Sequence, residues 1–274
     1  TLLLAIFAFS LSLLGTFLVR SGILTSVHAF AADPERGVFM LMFLAVVIGG
    51  SLMLFALRGP AMQKVASYSG WSREAMLLIN NVLLVSSLTM ILIGTLYPLI
   101  ADVLELGKIS VGPPYFNFFF VPLSVGLVVA MGIAVFSKWK ATDSKFLLSK
   151  IPLPLAIAVV GAILLPFVLG DADSGYSVTA GLTLLISLWL LATIAIDLKA
   201  KIGTDFSRLA KLSHSYLGMQ LAHSGLAILV LGVGLNAAYD EIRELRMAPG
   251  DSAMISGYQF DFKGVNPVAG PNFT

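Results

Sequence analysis

The chain has 274 residues, 58% of them hydrophobic and only 12% charged, with a mean hydropathy of +0.93, an apolar content that excludes a water-soluble domain. The net charge is +2, and the basic residues lie in short clusters between apolar runs, which excludes a nucleic-acid-binding arm. Cysteine is absent, so disulfides, thiolate metal sites and a cysteine nucleophile are excluded as well.

A bilayer core of about 30 Å needs roughly 20 apolar residues of helix, and that template recurs along the chain. Matching runs occupy about 1–19, 38–57, 75–100, 117–137, 151–170, 177–197 and 214–236. Backbone polar groups in hydrocarbon must be satisfied within each segment, so the expected class is an all-α polytopic membrane protein of about seven transmembrane helices. Residues 1–236 form the bundle. The first run, "LLLAIFAFSLSLLGTFLV", follows Thr1 with no basic n-region or cleavage site. It reads as a span and not a signal peptide, and the chain reads as a fragment whose beginning is missing.

The first span ends at Arg20, and a loop over 20–37 carries His28 before the second span begins. In the third span, Asn80 and Asn81 of "LLINNVLLV" are expected to hydrogen-bond to a neighbouring helix. The stretch "GPPYFNFFF" at 112–120 leads from a loop into the fourth span. Pro98, Pro122, Pro152, Pro154 and Pro166 fall near or within spans, where neighbouring helices can re-satisfy a kinked backbone. Trp71, Tyr97 and Trp139 lie near span ends, as interfacial aromatic belts do.

Basic residues accumulate in alternate loops. Residues 58–74, 138–150 and 198–213 hold eleven Lys and Arg, whereas 20–37, 101–116 and 171–176 hold three. Basic loops are retained on the cytoplasmic side, so His28 and the tail from 237 onward are expected on the outer face. That tail, 237–274, has turn signals at Pro249-Gly250 and Gly264 and alternation through Tyr258, Phe260 and Phe262. It reads as the start of an extramembrane β-rich domain that is cut off.

Ionisable groups inside a bilayer are the default places to look for function, and few exist here. Asp197 stands at a span end, and His223 lies in "LGMQLAHSGLAILVLGVGLN". With Tyr216 at the inner edge, the rise of 1.5 Å per residue sets His223 about 10 Å into the membrane. Gly218, Ala222 and Gly225 near it are expected to admit a neighbouring backbone or a flat ligand. Two readings of His223 stand from these residues: an imidazole bonded to another helix, or an axial ligand to haem iron, which takes neutral imidazole. His214, beside Lys211, reads as a solvated boundary residue. His28 is either a plain loop histidine or, with Arg20 available to a propionate, a haem-docking group. Phosphate loops, zinc spacings and Ser-His-Asp arrangements are absent, and no side chain is expected to act as a general acid or base.

Several stretches together resemble the CcmF family of cytochrome c maturation proteins and its nitrite-reductase-associated relatives. They are "GTFLVRSGILTSVHAFAADPERG", "SREAMLLINNVLLVSSLTMILIGTLYPL", "GPPYFNFFFVPL", "LGMQLAHSGLAILVLGVGLN", and the tail pieces "GYQFDFKGV" and "GPNF". The resemblance implies a haem lyase subunit of the bacterial inner membrane that accepts haem from the carrier CcmE on the periplasmic face. It would join that haem to the CXXCH thiols of apocytochrome c, working with CcmH and CcmI. In the family a Trp-rich periplasmic segment, the WWD domain, is flanked by two histidines that hold the substrate haem, and His28 matches the second. Two span histidines hold a permanent haem b, and His223 matches the second of those, with quinol as a candidate electron donor. The resemblance places the other member of each pair upstream of Thr1. A haem or small-molecule transporter is the alternative function, and a scaffold that docks partners through the tail is a third.

Overall fold

The computed structural model describes residues 2–20, 34–62, 69–170 and 175–266. It bears out the all-α membrane class: among the described residues, seven helical segments are long and apolar enough to cross a bilayer. Contacts divide the chain into two units, residues 1–67 with 89–117, and residues 68–88 with 118–274.

In the first unit, α1 (Leu2–Arg20) packs along α2 (Pro34–Arg58). α2 begins four residues before its apolar run, because Pro34 has the fixed φ suited to a first helical turn and lacks only an N–H that no helix uses there. This unit also holds the C-terminal part of α3 (Arg73–Val103) and the first turn of α4 (Pro113–Phe136). The Tyr115 hydroxyl donates to the Met90 carbonyl at 3.0 Å, so "GPPYFNFFF" opens a helix and ties it back to α3.

The second unit contains the packed core. After α4 come a short amphipathic helix α5 (Ser144–Lys150), then α6 (Pro152–Leu164), α7 (Pro166–Leu169), α8 (Val178–Ile202) and α9 (His214–Tyr239). Val128, Val135 and Phe136 of α4, Leu147 of α5, Leu190 and Ile194 of α8 and Ala227 of α9 form one buried cluster. Lipid tails are as apolar as these side chains, so close packing and hydrogen bonds hold such helices together more than water exclusion does. Gly132 supplies a close approach: a Cβ there would collide with the indole of Trp189, which is itself buried. The indole N–H donates to the Val129 carbonyl at 3.3 Å. Bulk on α8 thus meets bareness on α4.

The run expected over 151–170 is divided. Proline at 166 has no N–H to give the carbonyl four residues back, which leaves the Ala162 oxygen bare. The Tyr176 hydroxyl donates to that oxygen at 3.1 Å, and Gly181 leaves room for it, since a Cβ at 181 would strike the same hydroxyl. The Tyr239 hydroxyl donates to the Pro166 carbonyl at 3.3 Å. Asn80 and Asn81 differ from expectation: the Asn80 amide donates to the Asn81 carbonyl oxygen at 3.5 Å on the same helix. No bond from either to another helix occurs among the described residues.

Beyond α9, β1 (Ser252–Ile255) pairs antiparallel with β2 (Tyr258–Asp261), Ile255 opposite Tyr258. The two-residue turn, Ser256 and Gly257, has φ of 48° and 79°, the mirror-image turn whose twist suits paired strands.

Candidate functional site

α9 is capped by Ser213, whose hydroxyl accepts from the Tyr216 backbone N–H at 3.3 Å. The helix then sets Tyr216, Gln220, His223 and Ala227 on one side, because steps of four, three and four residues return to nearly the same azimuth. Ala227 is fully buried in the core cluster, so this is the packed side. His223 is half-buried there. Its Nδ1 is buried with no hydrogen-bond partner, leaving Nε2 as the accessible nitrogen.

That arrangement bears on the two readings of His223. A histidine serving only to join helices would be engaged, and among the described residues this one is not. A neutral imidazole with an accessible nitrogen suits haem iron. A ligating histidine ordinarily has its second nitrogen hydrogen-bonded, and Nδ1 here has no such partner among the described residues. No group of three or more His, Cys, Asp or Glu is gathered as a metal site among those residues. A metal held at His223 would therefore bring most of its own ligands, as porphyrin iron does. The residues present fit a haem in donor type and accessibility.

The small residues do not lie where expected. At 100° per residue, Gly218 and Gly225 point about 140° to 160° away from His223, and added Cβ atoms there would meet nothing within 4 Å. His223 shares instead the face on which Tyr216 and Gln220 meet Asp197 of α8.

One turn toward the basic end lies a polar network that composition did not announce. The Tyr216 hydroxyl donates to Asp197 Oδ2 at 2.6 Å. The Gln220 amide donates to the same oxygen at 2.9 Å and to the Tyr216 oxygen at 2.6 Å. The carboxylate draws the amide NH2 toward itself, so Gln220 Oε1 is turned away and is buried without a partner. Lys201 Nζ stands 4.8 Å from the centre of the Tyr216 ring. Sequence reasoning placed Asp197 at a span end but did not find its partners. The signal was present: Tyr216 and Gln220, four apart, share the helical face that carries His223.

His214 is exposed at the first position of α9, in keeping with a boundary residue. His28 lies outside the described residues, and Arg20 is the last residue of α1.

Comparison with known proteins points in one direction. The family model for the CcmF C-terminal beta-sandwich matches residues 238–274. Over the whole chain, cytochrome c-type biogenesis protein CcmF of Pseudomonas aeruginosa is 49% identical, and this chain covers 41% of that protein. The Escherichia coli CcmF is 43% identical, again with all of this chain and 41% of the relative aligned. The chain is similar to CcmF proteins along its whole length. It spans about two fifths of the length of these CcmF relatives. Cytochrome c-type biogenesis protein NrfE of Haemophilus influenzae is similar at 31% identity over the whole chain and 42% of its own length. A solved structure named Cytochrome c Heme Lyase CcmF shares the fold with a TM-score of 0.59 at 23% identity, covering 85% of this chain and 33% of that one.

Proposed function

We propose that this CcmF-like chain is the haem-handling membrane portion of a cytochrome c haem lyase of the bacterial inner membrane. In this reading residues 1–236 form the transmembrane bundle, and the tail from 237 begins a periplasmic domain. The observation that carries it is His223, an imidazole in an apolar helix with Nδ1 buried and Nε2 accessible and unengaged. His223 would hold the iron of a haem b through Nε2, the second ligand coming from another part of the full protein. When bound, haem b supplies reversible one-electron transfer, the chemistry needed to bring a substrate haem to the ferrous state. His28 would hold the iron of the substrate haem delivered by CcmE, and Arg20 would meet a propionate in bidentate fashion. The chain's own contribution is ligation and orientation, while the thiols that add to the haem vinyl groups belong to apocytochrome c, presented with CcmH and CcmI. Quinol would be the electron donor.

The transporter alternative has no observation in its favour. Among the described residues, Asp197, the carboxylate near the end of α8, is engaged by two neutral side chains and forms no ion pair.

The test uses the purified full-length protein. It is expected to show a low-spin bis-imidazole spectrum, which His223→Ala loses. His28→Ala is expected to keep that spectrum yet fail to mature a reporter cytochrome c. An unchanged spectrum in the His223 variant, or normal maturation in the His28 variant, overturns the corresponding assignment.

A further inference from the structure

The elbow between α4 and α6 carries features that haem handling does not use. Residues 137–142 are zipped to the N-terminal approach of α3: the Ser69 N–H donates to the Lys140 carbonyl at 2.9 Å, Arg73 N–H to Lys138 carbonyl at 2.9 Å, and Thr142 N–H to Trp71 carbonyl at 2.6 Å. Ser72, Ser137 and Thr142 are buried beneath this junction. The elbow is therefore a defined platform, held by backbone bonds between two segments far apart in sequence.

Its upper surface is basic. Lys138, Lys140 and Lys145 are exposed and Lys150 half-buried. The ammonium groups of Lys138 and Lys150 stand 4.8 and 5.5 Å from the centre of the same ring, Phe146, so one aromatic holds two cations. The nearby carboxylates are engaged with backbone. Glu74 accepts from the Lys140 N–H at 2.9 and 3.1 Å, and Asp143 caps α5 by accepting from the Lys145 N–H at 3.3 Å. Among the described residues no carboxylate forms an ion pair with Lys138, Lys145 or Lys150.

The surroundings of these cations are apolar and interfacial. Trp71 and Trp139 are exposed at 49% and 59%, and the Arg73 guanidinium lies 5.5 Å from the centre of the Trp139 ring. Leu148 is exposed at 65%, whereas Leu147, next to it, is buried in the core. α5 thus turns one leucine inward and sets the other outward among lysines. Cations above and exposed tryptophan and leucine beside them, at the end of apolar helices, match a molecule with an anionic head and a hydrocarbon body. An acidic peptide would satisfy the charges but not the apolar rim.

We propose that the α4–α5 elbow binds an acidic phospholipid, its phosphate attracted by Lys138 and Lys150 and its acyl chains along Leu148 and Trp139. Clustered basic residues at a membrane surface contribute about five-fold each to the affinity for anionic lipid. The site is independent of the haem reading, because it uses none of the residues assigned to iron.

The experiment titrates delipidated full-length protein in neutral detergent with phosphatidylglycerol and counts retained lipids by native mass spectrometry. Phosphatidylcholine and inorganic phosphate serve as comparison arms. Lys138→Gln/Lys150→Gln is expected to weaken phosphatidylglycerol retention about twenty-five-fold, by the same five-fold per residue. Lys138→Arg/Lys150→Arg is expected to preserve retention, and Arg208→Gln/Lys211→Gln, in another basic loop, to leave it unchanged. Equal retention of phosphatidylcholine, displacement by inorganic phosphate, or unchanged binding in the Gln variant overturns the proposal. An unchanged elution profile of the Gln variant separates loss of the site from loss of fold.

Discussion

Removing single members of the Asp197–Tyr216–Gln220 network should produce unequal effects, and the inequality follows from which atoms are left unpaired. Tyr216→Phe deletes a 2.6 Å bond to a carboxylate and the acceptor of the Gln220 amide. A hydrogen bond to a charged group contributes about 1.5–3 kcal/mol, and the low end applies because Tyr216 and Asp197 are only half-buried. Gln220→Leu deletes the 2.9 Å bond to the same carboxylate, but it also removes Oε1, which is already buried without a partner. Relieving an orphaned polar atom returns about 1–3 kcal/mol, so the leucine variant should be close to neutral. Asp197→Ala removes both charged-acceptor bonds at once, leaving the hydroxyl without its acceptor and the amide with only the Tyr216 oxygen, and should be the most destabilising, by about 2–4 kcal/mol. At about 2 °C of melting temperature per kcal/mol for a chain of this size, thermal unfolding in detergent should rank Asp197→Ala lowest, then Tyr216→Phe, with Gln220→Leu near the parent protein. A leucine variant less stable than the phenylalanine variant would refute the reasoning. So would additive losses in the Tyr216→Phe/Gln220→Leu double variant, since the two bonds share one oxygen.

Two further outcomes follow. Gly132→Leu drives a side chain into the Trp189 indole and should cost about 1–3 kcal/mol through overpacking. A blue or red shift in Trp189 emission and a lower melting temperature would report it, and a compensating Trp189→Ala should recover part of the loss. In the tail, Glu241 accepts from the Ser256 hydroxyl at 2.9 Å and lies 2.7 Å from the Arg243 Nε. The Ser256 bond, with Arg243 beside it, holds the Glu241 carboxyl below its ordinary value of 4.5. A carboxylate whose pKa is lowered by folding adds stability above its unfolded pKa and loses it as pH falls through the folded one. Protection of the Ser256 amide from exchange should therefore decline below about pH 4.5, and Glu241→Gln should lower that protection at neutral pH and flatten its pH dependence.

Much of the architecture was readable because the bilayer imposes a length and a polarity on every crossing segment. All seven apolar runs appear as helical segments, and the alternation through Tyr258 and Phe260 became a strand. What escaped was side-chain geometry between helices. Asn80 and Asn81 look like interhelical glue in sequence, yet adjacent residues on a helix can meet each other first. Gly218 and Gly225 are near His223 in sequence, but helical periodicity carries them to the far side. Asp197 could be placed in the chain, while its partners depended on the register of α8 against α9, which no single helix encodes. His223 was singled out by its rarity among apolar neighbours, and its two nitrogens become distinguishable only once the packing is known.

The hydroxyl of Tyr176 over the bare Ala162 oxygen has a consequence for the bilayer as a barrier. Ala162 is seven residues from the end of the segment that closes at Leu169, about 10 Å along the helix. An uncapped carbonyl at that depth would recruit water, and a file of water is a conduit for protons. By stoppering the gap that proline opens, the phenol lets the backbone bend while helping to keep this stretch of membrane electrically tight.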